Sequence, residues 1–419
     1  MGTVGGLRCA RVGPVPRFDP FRGLRYAPDK APIGQVMAPP YDVITPSERV
    51  HLASRHAANA VLVELPEADL RGRRDRYRVA ADLFNRWQAD GTLRPDPTPC
   101  LYPYRMTDTT GRSTTGVIGA LGLPDPEEEA SGESDILPHE QTLPKPKSDR
   151  LDLLRATRAN LSPIWGLSMS HGLTATFDPT DDEPTADAYD DDGVRHQLWV
   201  LDDRDAIAAI TAAVAKAPVV IADGHHRYAT ARTYQAECRA QNENRPGPYD
   251  AVLALIVELA EDQLTVGAIH RTISGLPPDF DLIEACSAWF DVVRAGAADE
   301  RTLGALANAH SLALVTGGSA YLLLPLDATY EAAGNDLDSS LVAVLLAHLP
   351  PHESMHRHSV AEALGALNDG EAQAAFLLRP VTVSQIEAWA AERKQMAPKT
   401  TYFSPKPRTG MVFRSLDLF

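Results

Sequence analysis

The chain has 419 residues, of which 44% are hydrophobic and 23% are charged, as is typical of a globular protein with two or three packed units. Its 40 basic and 56 acidic residues give a net charge of −16, and such a surface repels nucleic acid. No apolar segment reaches the roughly 20 residues of a membrane span, and the four separated cysteines suit a reducing compartment. We therefore expect a cytoplasmic protein that binds neither nucleic acid nor membranes.

The first third of the chain predicts alternating helices and strands after a lead-in that is rich in proline and arginine. Prolines give residues 37–44, which include Tyr41 and Asp42, an extended and turn-prone path. We predict helices over 46–56 and 74–89 and strands over 59–65, 100–104 and 113–123. The glycines of the last strand lack the spacing of a dinucleotide-binding motif, so we interpret them as a sign of close packing.

A polar segment between two acidic, proline-bearing loops carries candidate catalytic groups. His139, Glu140 and Thr142 place an imidazole, a carboxylate and a hydroxyl close together. Glu140 could take a proton from a substrate hydroxyl or bind Mg²⁺, and Arg150 at the start of the next helix could contact phosphate. An exposed polar loop is the alternative interpretation.

The strongest signal lies where an apolar run meets a polar helix start. After a predicted helix over 202–217, residues 219–222 predict a buried strand, and the helical spacing of the apolar residues after 227 predicts a helix. The first N–H groups of a helix have no internal partner, and the helix dipole is positive at that end. The segment Asp223 to Arg227 therefore predicts a phosphate or nucleotide site.

Each side chain of this segment has an expected role. Asp223 would cap the helix, and Gly224 would let a ligand approach the backbone. His225, His226 and Arg227 would contact the oxyanion, because guanidinium and imidazole groups donate hydrogen bonds to phosphate oxygens. The alternative interpretation is an ordinary helix start, in which the histidines bind each other or solvent.

The last third of the chain returns to strands and helices. Residues 249–257 and 263–273 predict a hairpin whose second strand ends at His270 and Arg271. A helix over 280–290, a buried strand over 374–378 and a capping box at Thr382 and Gln385 follow. Lys399, Tyr402 and Lys406 stand in a basic tail that could face a phosphoryl group or simply solubilise a terminal hairpin. The histidines near 352–358 have no obvious further donor, which disfavours a metal site there.

Six phrases carry a family resemblance, in the order APPYDVI (38–44), LPHEQT (137–142), IADGHHRYATA (221–231), HRTI (270–273), AAFLLRP (374–380) and MAPKTTYFSPK (396–406). Together they resemble the uncharacterised prokaryotic family called domain of unknown function 1015, over almost the whole chain. Thr400 and Ser404 depart from the family's Lys-Ser-Thr-Tyr-Phe-Tyr-Pro-Lys pattern, whereas Lys399, Tyr402 and Lys406 keep it.

The Asp-Gly-His-His-Arg element also resembles that of free-serine kinases, which share the fold of ParB amino-terminal domains and sulfiredoxin. This resemblance implies an α+β (mixed α/β) fold, with a ParB-like and sulfiredoxin-like core elaborated by additional strands and helices. It implies phosphate contacts by His225, His226 and Arg227, with Asp223 positioning the turn or a metal. A histidine takes the place of sulfiredoxin's cysteine, which argues against reduction of cysteine sulfinic acid.

We expect three regions, namely an N-terminal α/β region over 1–123, a core with the phosphate-binding element over 124–273, and a C-terminal α/β region over 274–419 that packs on the core. The predicted function is that of a nucleotide-dependent phosphotransferase resembling serine kinases, with a small hydroxylated metabolite as acceptor and ADP, ATP or CTP as nucleotide. A non-catalytic nucleotide-binding regulatory module and a phosphatase or nucleotidase are the alternatives.

The candidate residues fall into three groups. The predicted catalytic residues are Glu140, His226 and Asp42. The predicted phosphate and nucleotide contacts are Asp223, Gly224, His225, His226, Arg227, Arg150, Lys399 and Lys406. Further pocket residues are Tyr41, His139, Thr142, His270, Arg271 and Tyr402. Mg²⁺ is a candidate metal, while the metal ligands, the acceptor and the oligomeric state are not defined by the sequence.

Overall fold

The computed structural model describes residues 16–68, 75–125, 134–138, 144–177, 182–308, 310–397 and 399–418. The chain forms two compact units, each with its own hydrophobic clusters. Unit 1 contains residues 1–264 and 405–419, and unit 2 contains residues 265–404. The mixed α/β class predicted from the sequence is confirmed, because both units combine sheets with helices. The division into three regions at 123 and 273 stays a prediction.

Unit 1 is built on a nine-stranded mixed sheet in the described part of the chain. The strands of this unit are β1 Phe18–Asp19, β2 Leu24–Tyr26, β3 Leu93–Pro95, β4 Tyr102–Thr107, β5 Ser113–Gly122, β6 Ile136–Pro138, β7 Ala159–Asn160, β8 Ile164–Ser168, β9 Ala186–Tyr189, β10 Arg195–Leu198, β11 Val219–Asp223, β12 Ala251–Glu258 and the late β21 Arg414–Ser415. The sheet order is β6-β11-β8-β12-β5-β4-β10-β9, with β1 beside β5.

The helices of unit 1 are α1 Ile33–Val36, α2 Pro46–Arg55, α3 Val61–Glu64, α4 Arg76–Ala89, α5 Pro144–Thr157, α6 Arg204–Val214 and α7 His225–Gln241. Short 3₁₀ turns lie at Tyr41–Val43, Thr174–Thr176 and Pro248–Asp250. The predicted strand β11 and the predicted helices α6 and α7 are confirmed.

The glycine-bearing strand β5 is confirmed as a close-packed strand between β4 and β12. A Cβ at Gly116 would lie 2.7 Å from the carbonyl oxygen of Ile256 on β12, and one at Gly119 would meet the ring of Phe18. Glycine is needed at Gly116 because the neighbouring backbone approaches too closely for any side chain.

Unit 2 contains a six-stranded antiparallel sheet among its described residues, in the order β15-β17-β16-β19-β14-β18, and a small pair β13-β20. Its strands are β13 Thr265–Gly267, β14 His270–Ser274, β15 Phe290–Ala297, β16 Ala313–Thr316, β17 Ser319–Pro325, β18 Glu353–Arg357, β19 Ala374–Leu377 and β20 Tyr402–Ser404. Its helices are α8 Leu282–Ser287, α9 Glu300–Asn308, α10 Asp327–Ala333, α11 Asp338–Leu346, α12 Val360–Asn368 and α13 Val383–Ala391.

Three predicted elements differ from the structure. The predicted strand over 59–65 is wrong, because Val61–Glu64 forms helix α3. Asn59 holds the start of this helix: its Nδ2 donates to the carbonyl of Gln35 over 2.9 Å, and its Oδ1 accepts from the N–H of Val61 over 3.0 Å. The helix predicted over 280–290 is shorter, since α8 ends at Ser287 and Phe290 starts β15.

The predicted hairpin of 249–257 with 263–273 is also wrong. Strand β12 is hydrogen-bonded on both sides, to β5 and to β8, so neither edge is available to the following segment. Strand β14 pairs instead with β18 and β19 in unit 2. The capping box at Thr382 and Gln385 and the buried strand over 374–377 are confirmed. None of the helices in the described ranges is long and apolar enough to cross a membrane.

Candidate functional site

The junction between β11 and α7 forms the centre of the candidate site in unit 1. Strand β11 is buried through Ala222, and Gly224 follows Asp223 with a left-handed φ of 87°. A Cβ at Gly224 would lie 3.0 Å from Nε of Arg227, so both the conformation and the space favour glycine. The 17-residue helix α7 starts here without a side-chain cap.

The carboxylate of Asp223 binds two cations and does not cap the helix. Its Oδ2 accepts a 2.7 Å hydrogen bond from Nη2 of Arg227, and its Oδ1 accepts one from Nζ of Lys406. The predicted capping role of Asp223 is therefore wrong, because two cations outcompete a neutral backbone N–H for a carboxylate. Burial alone would raise the pKa of Asp223, but the charges of Lys406 and Arg227 outweigh it and hold that pKa well below its usual value.

Arg227 is held on both arms of its guanidinium group. Nη1 donates to the carbonyl of Pro163, and Nη2 binds Asp223, so the planar group has one fixed orientation. The side chain is only 9% exposed. Burial alone would lower the pKa of Arg227, but the charges of Asp223 and Asp42 raise it. Its neighbours in the first turn of α7 are His225, which is buried, and His226, which is half-buried.

Arg150 forms a second fixed cation next to this junction. It lies 4.2 Å from the centre of the Tyr41 ring and donates from Nη1 to the carbonyl of Glu64 over 2.8 Å. Its Nη2 also pairs with Asp149 at 2.5 Å. Burial raises the pKa of Tyr41 to about 12, so its hydroxyl stays protonated at neutral pH.

Both arginines line a small cavity of about 50 Å³. Its polar lining residues are Glu64, Arg150, Asn160, Ser162, Arg227 and Thr230, and the other lining residues are apolar. Ser162 Oγ donates to Oε1 of Glu64 over 3.0 Å, and Nη1 of Arg150 lies 3.7 Å from the same oxygen. Glu64 was missed in the sequence, although a single carboxylate in the apolar phrase VLVEL (61–65) is a recognisable signal of a buried acid.

The remaining predicted residues divide between unit 2 and positions outside the described residues. Unit 2 contains Lys399, which has a left-handed φ of 60°, and its carbonyl accepts a 2.9 Å hydrogen bond from Arg271. Tyr402 packs on the His358 ring with the ring centres 4.6 Å apart. His270 is buried and accepts a 3.1 Å hydrogen bond at Nδ1 from the N–H of Leu378.

Three predicted residues, His139, Glu140 and Thr142, lie outside the described residues. Within the described ranges, no group of three or more His, Cys, Asp or Glu side chains comes together in a way that could hold a metal ion. Mg²⁺ in nucleotide enzymes binds mainly to phosphates and one or two carboxylates. Its use by this chain stays a prediction, as do the roles of the predicted site residues.

Comparisons with known proteins give the family. A family model described as "Protein of unknown function (DUF1015)" matches residues 18–345, and the chain belongs to this family. No curated protein matches the chain. The ParB-like and sulfiredoxin-like core implied by the sequence stays a prediction.

Several solved structures are similar to this chain at low identity. A conserved hypothetical protein from Pyrococcus furiosus is 14% identical with a TM-score of 0.37, over 68% of this chain and 94% of that one. Free serine kinase in complex with AMP is 14% identical with a TM-score of 0.39, over 68% and 90%. SbnI from Staphylococcus aureus, truncated at its C-terminus, is 13% identical with a TM-score of 0.36, over 66% and 82%. At these values the likeness carries no argument about chemistry.

Proposed function

We propose that this chain is a nucleotide-dependent phosphotransferase that binds phosphate groups at the junction of β11 and α7 and transfers one to a small hydroxylated metabolite. One observation carries the proposal: the carboxylate of Asp223 holds both Arg227 and Lys406 at the start of a 17-residue helix. Two fixed cations and the positive end of a helix dipole form an arrangement that attracts phosphate.

The arrangement suits phosphoryl transfer, which depends mainly on positioning and on neutralising charge in the transition state. Asp223 keeps both cations oriented before a ligand arrives, so little reorganisation is needed when phosphate binds. Arg227 offers planar donors to phosphate oxygens, whereas Lys406 offers a compact charge. His226 is our candidate for donating a hydrogen bond to the transferred group, and Arg150 for neutralising further charge.

The acceptor hydroxyl needs a carboxylate to orient it. Asp42 and Glu140 are our candidates. Asp42 is exposed on the 3₁₀ turn Tyr41–Val43 in unit 1, and its charge contributes to the raised pKa of Arg227. A carboxylate on the rim of a basic site can accept a proton from a hydroxyl without binding the phosphate itself.

The test uses the purified chain with Mg²⁺, either ATP or ADP, and a panel of hydroxylated metabolites that includes L-serine. Formation of a phosphorylated acceptor is followed by ³¹P NMR and mass spectrometry. We expect His226→Ala to lower kcat/KM at least about tenfold, as is usual for the loss of one transition-state donor. The matched control His171→Ala changes an exposed histidine of the same unit and is expected to leave the rate unchanged.

The other outcomes decide between the alternatives. Nucleotide that binds and raises the melting temperature without being consumed would identify a regulatory module. Phosphate released without an acceptor would identify a phosphatase or nucleotidase. Absence of binding to any phosphorylated compound would refute the phosphate site itself.

A further inference from the structure

The segment after unit 2 returns to unit 1 and brings Lys406 to the phosphate site. Two backbone hydrogen bonds join Thr409 to Ala38, and another pair joins Phe413 to Leu24. Phe413 is fully buried in the cluster that also contains Leu24. Lys406 precedes these anchors by only a few residues, so the position of its ammonium group depends on how the segment is held.

A buried polar network holds Arg408, two residues after Lys406. Arg408 donates from Nε to Oδ2 of Asp190 over 2.9 Å, and its backbone N–H donates to Oη of Tyr104 over 3.2 Å. The ring of His196 lies between the carboxylate of Asp190 and the hydroxyl of Tyr104. Its Nε2 is 2.9 Å from Oδ2 of Asp190, and its Nδ1 is 2.6 Å from Oη of Tyr104. Tyr104 and His196 are fully buried.

The hydrogen positions in this network follow from its geometry. The Asp190 carboxylate is paired with Arg408 and its pKa lies well below the usual value, so it only accepts hydrogen bonds and Nε2 of His196 must donate. Burial lowers the pKa of His196, which keeps the ring neutral and leaves Nδ1 as an acceptor. Tyr104 therefore donates its single hydrogen to Nδ1 and accepts from Arg408. The 3.4 Å contact between Arg408 Nε and His196 Nε2 is too long to compete.

We propose that Tyr104, His196, Asp190 and Arg408 are positioning residues that fix the C-terminal segment so that Lys406 stays on Asp223 at the phosphate site. This inference rests on the proposed function. Consecutive Cα atoms are about 3.8 Å apart, so Lys406 cannot leave the site by more than a short distance while Arg408 is held. A lysine side chain has a flexible stem, which makes it dependent on a fixed backbone for a defined position.

Binding of ADP to single and double variants tests the coupling. Tyr104→Phe removes the hydroxyl that both donates to His196 and accepts from Arg408, and Lys406→Met removes the ammonium group. We expect Tyr104→Phe to weaken ADP binding about tenfold, because a displaced charge loses roughly one charge-assisted hydrogen bond. The double variant should bind ADP as Lys406→Met alone does, since both changes act through the same ammonium group. Fully additive losses would overturn the proposal.

Tyr102→Phe is the matched control. Tyr102 lies on the same strand, β4, and its buried hydroxyl also makes a pair of close hydrogen bonds, 2.8 Å to Asp96 and 2.7 Å from the Gly23 N–H. We expect this variant to lose a similar amount of stability and to keep its ADP affinity. Equal weakening of ADP binding by Tyr102→Phe and Tyr104→Phe would show that Tyr104→Phe acts through general destabilisation of the fold. That result would overturn the positioning role.

A second measurement needs no ligand. Labelling of lysine amines followed by peptide mass spectrometry reports how accessible Lys406 is, and its side chain is only 12% exposed. We expect labelling of Lys406 to be about tenfold faster in Tyr104→Phe and unchanged in Tyr102→Phe. If the wild-type chain binds no phosphorylated compound, the proposed function fails, while labelling still shows whether the network holds Lys406. Unchanged labelling in Tyr104→Phe would overturn the positioning role on its own.

Discussion

Replacing Asp223 with asparagine tests the proposed phosphate site through stability alone, without any assumption about turnover. The carboxylate side chain is 15% exposed and is the shared partner of Arg227 and Lys406. The asparagine side chain would keep the volume but leave two poorly hydrated cations without their counter-charge. Removal of one partner from a buried ion pair costs about 3–5 kcal/mol, and we expect the free energy of unfolding to fall by that amount.

Phosphate should restore part of this loss. In the variant, a bound phosphate would take the place of the missing carboxylate charge between the two cations and would bind more tightly than in the wild type. A ligand at 100 times its Kd stabilises the native state by about 2.7 kcal/mol. We therefore expect a millimolar phosphate buffer to recover about 2–3 kcal/mol in Asp223→Asn, measured by urea unfolding against chloride at the same ionic strength.

Asp250→Asn is the matched control at the other end of α7. The Asp250 side chain is similarly buried, and its Oδ1 accepts hydrogen bonds from Arg239 over 2.7 Å and from Gln235 over 3.0 Å. This variant should lose a comparable amount of stability and respond to phosphate no more than the wild type does. The reasoning is refuted if the two variants respond alike to phosphate, because the cations at Asp223 would then have no special affinity for anions.

The remaining predictions concern pH and packing. Burial, followed by the charge of Arg271, lowers the pKa of His270 to about 4. On acidification the unfolded chain therefore takes up a proton first, and unit 2 should be most stable above pH 6.5. Its free energy of unfolding should fall by about 3 kcal/mol as the pH falls towards 4. Between pH 7 and pH 5, urea unfolding should show a loss of about 2 kcal/mol in the wild type and in the exposed control His310→Asn, and a smaller loss in His270→Asn; the same loss in both variants would contradict the assignment. Gly116→Ala should cost about 3 kcal/mol or prevent folding, because its Cβ would lie 2.7 Å from a backbone oxygen of β12. Gly365→Ala should instead raise the free energy of unfolding by about 0.5–1 kcal/mol, since the added Cβ meets nothing within 4 Å inside helix α12, and a melting temperature that falls would refute this.

Local sequence signals predicted those elements whose causes lie within one or two helical turns. The apolar run of β11, the glycine after it and the helical spacing beyond Arg227 all act over short distances, so the sequence alone predicts this junction. The capping box at Thr382 and Gln385 is similarly self-contained, because both partners belong to the same turn.

Short apolar runs predict secondary structure less well. Four residues such as Val61–Glu64 fit a strand and a buried helix turn equally well, and only their packing with neighbouring helices decides between these conformations. The predicted hairpin of β12 with the segment after it is wrong for a related reason. A strand can pair with any segment of suitable length, and β12 already has β5 and β8 on its two sides.

The composition of the candidate site was decided by tertiary structure. Asp223 and Lys406 are 183 positions apart, and Glu64 meets Ser162 across 98 positions. Local sequence patterns alone predict that a strand, a glycine and a helix start meet at Asp223. That Lys406 joins Arg227 on this carboxylate depends on segments that only the folded chain brings together, because an ion pair between distant residues forms through space and leaves no local periodicity in the sequence.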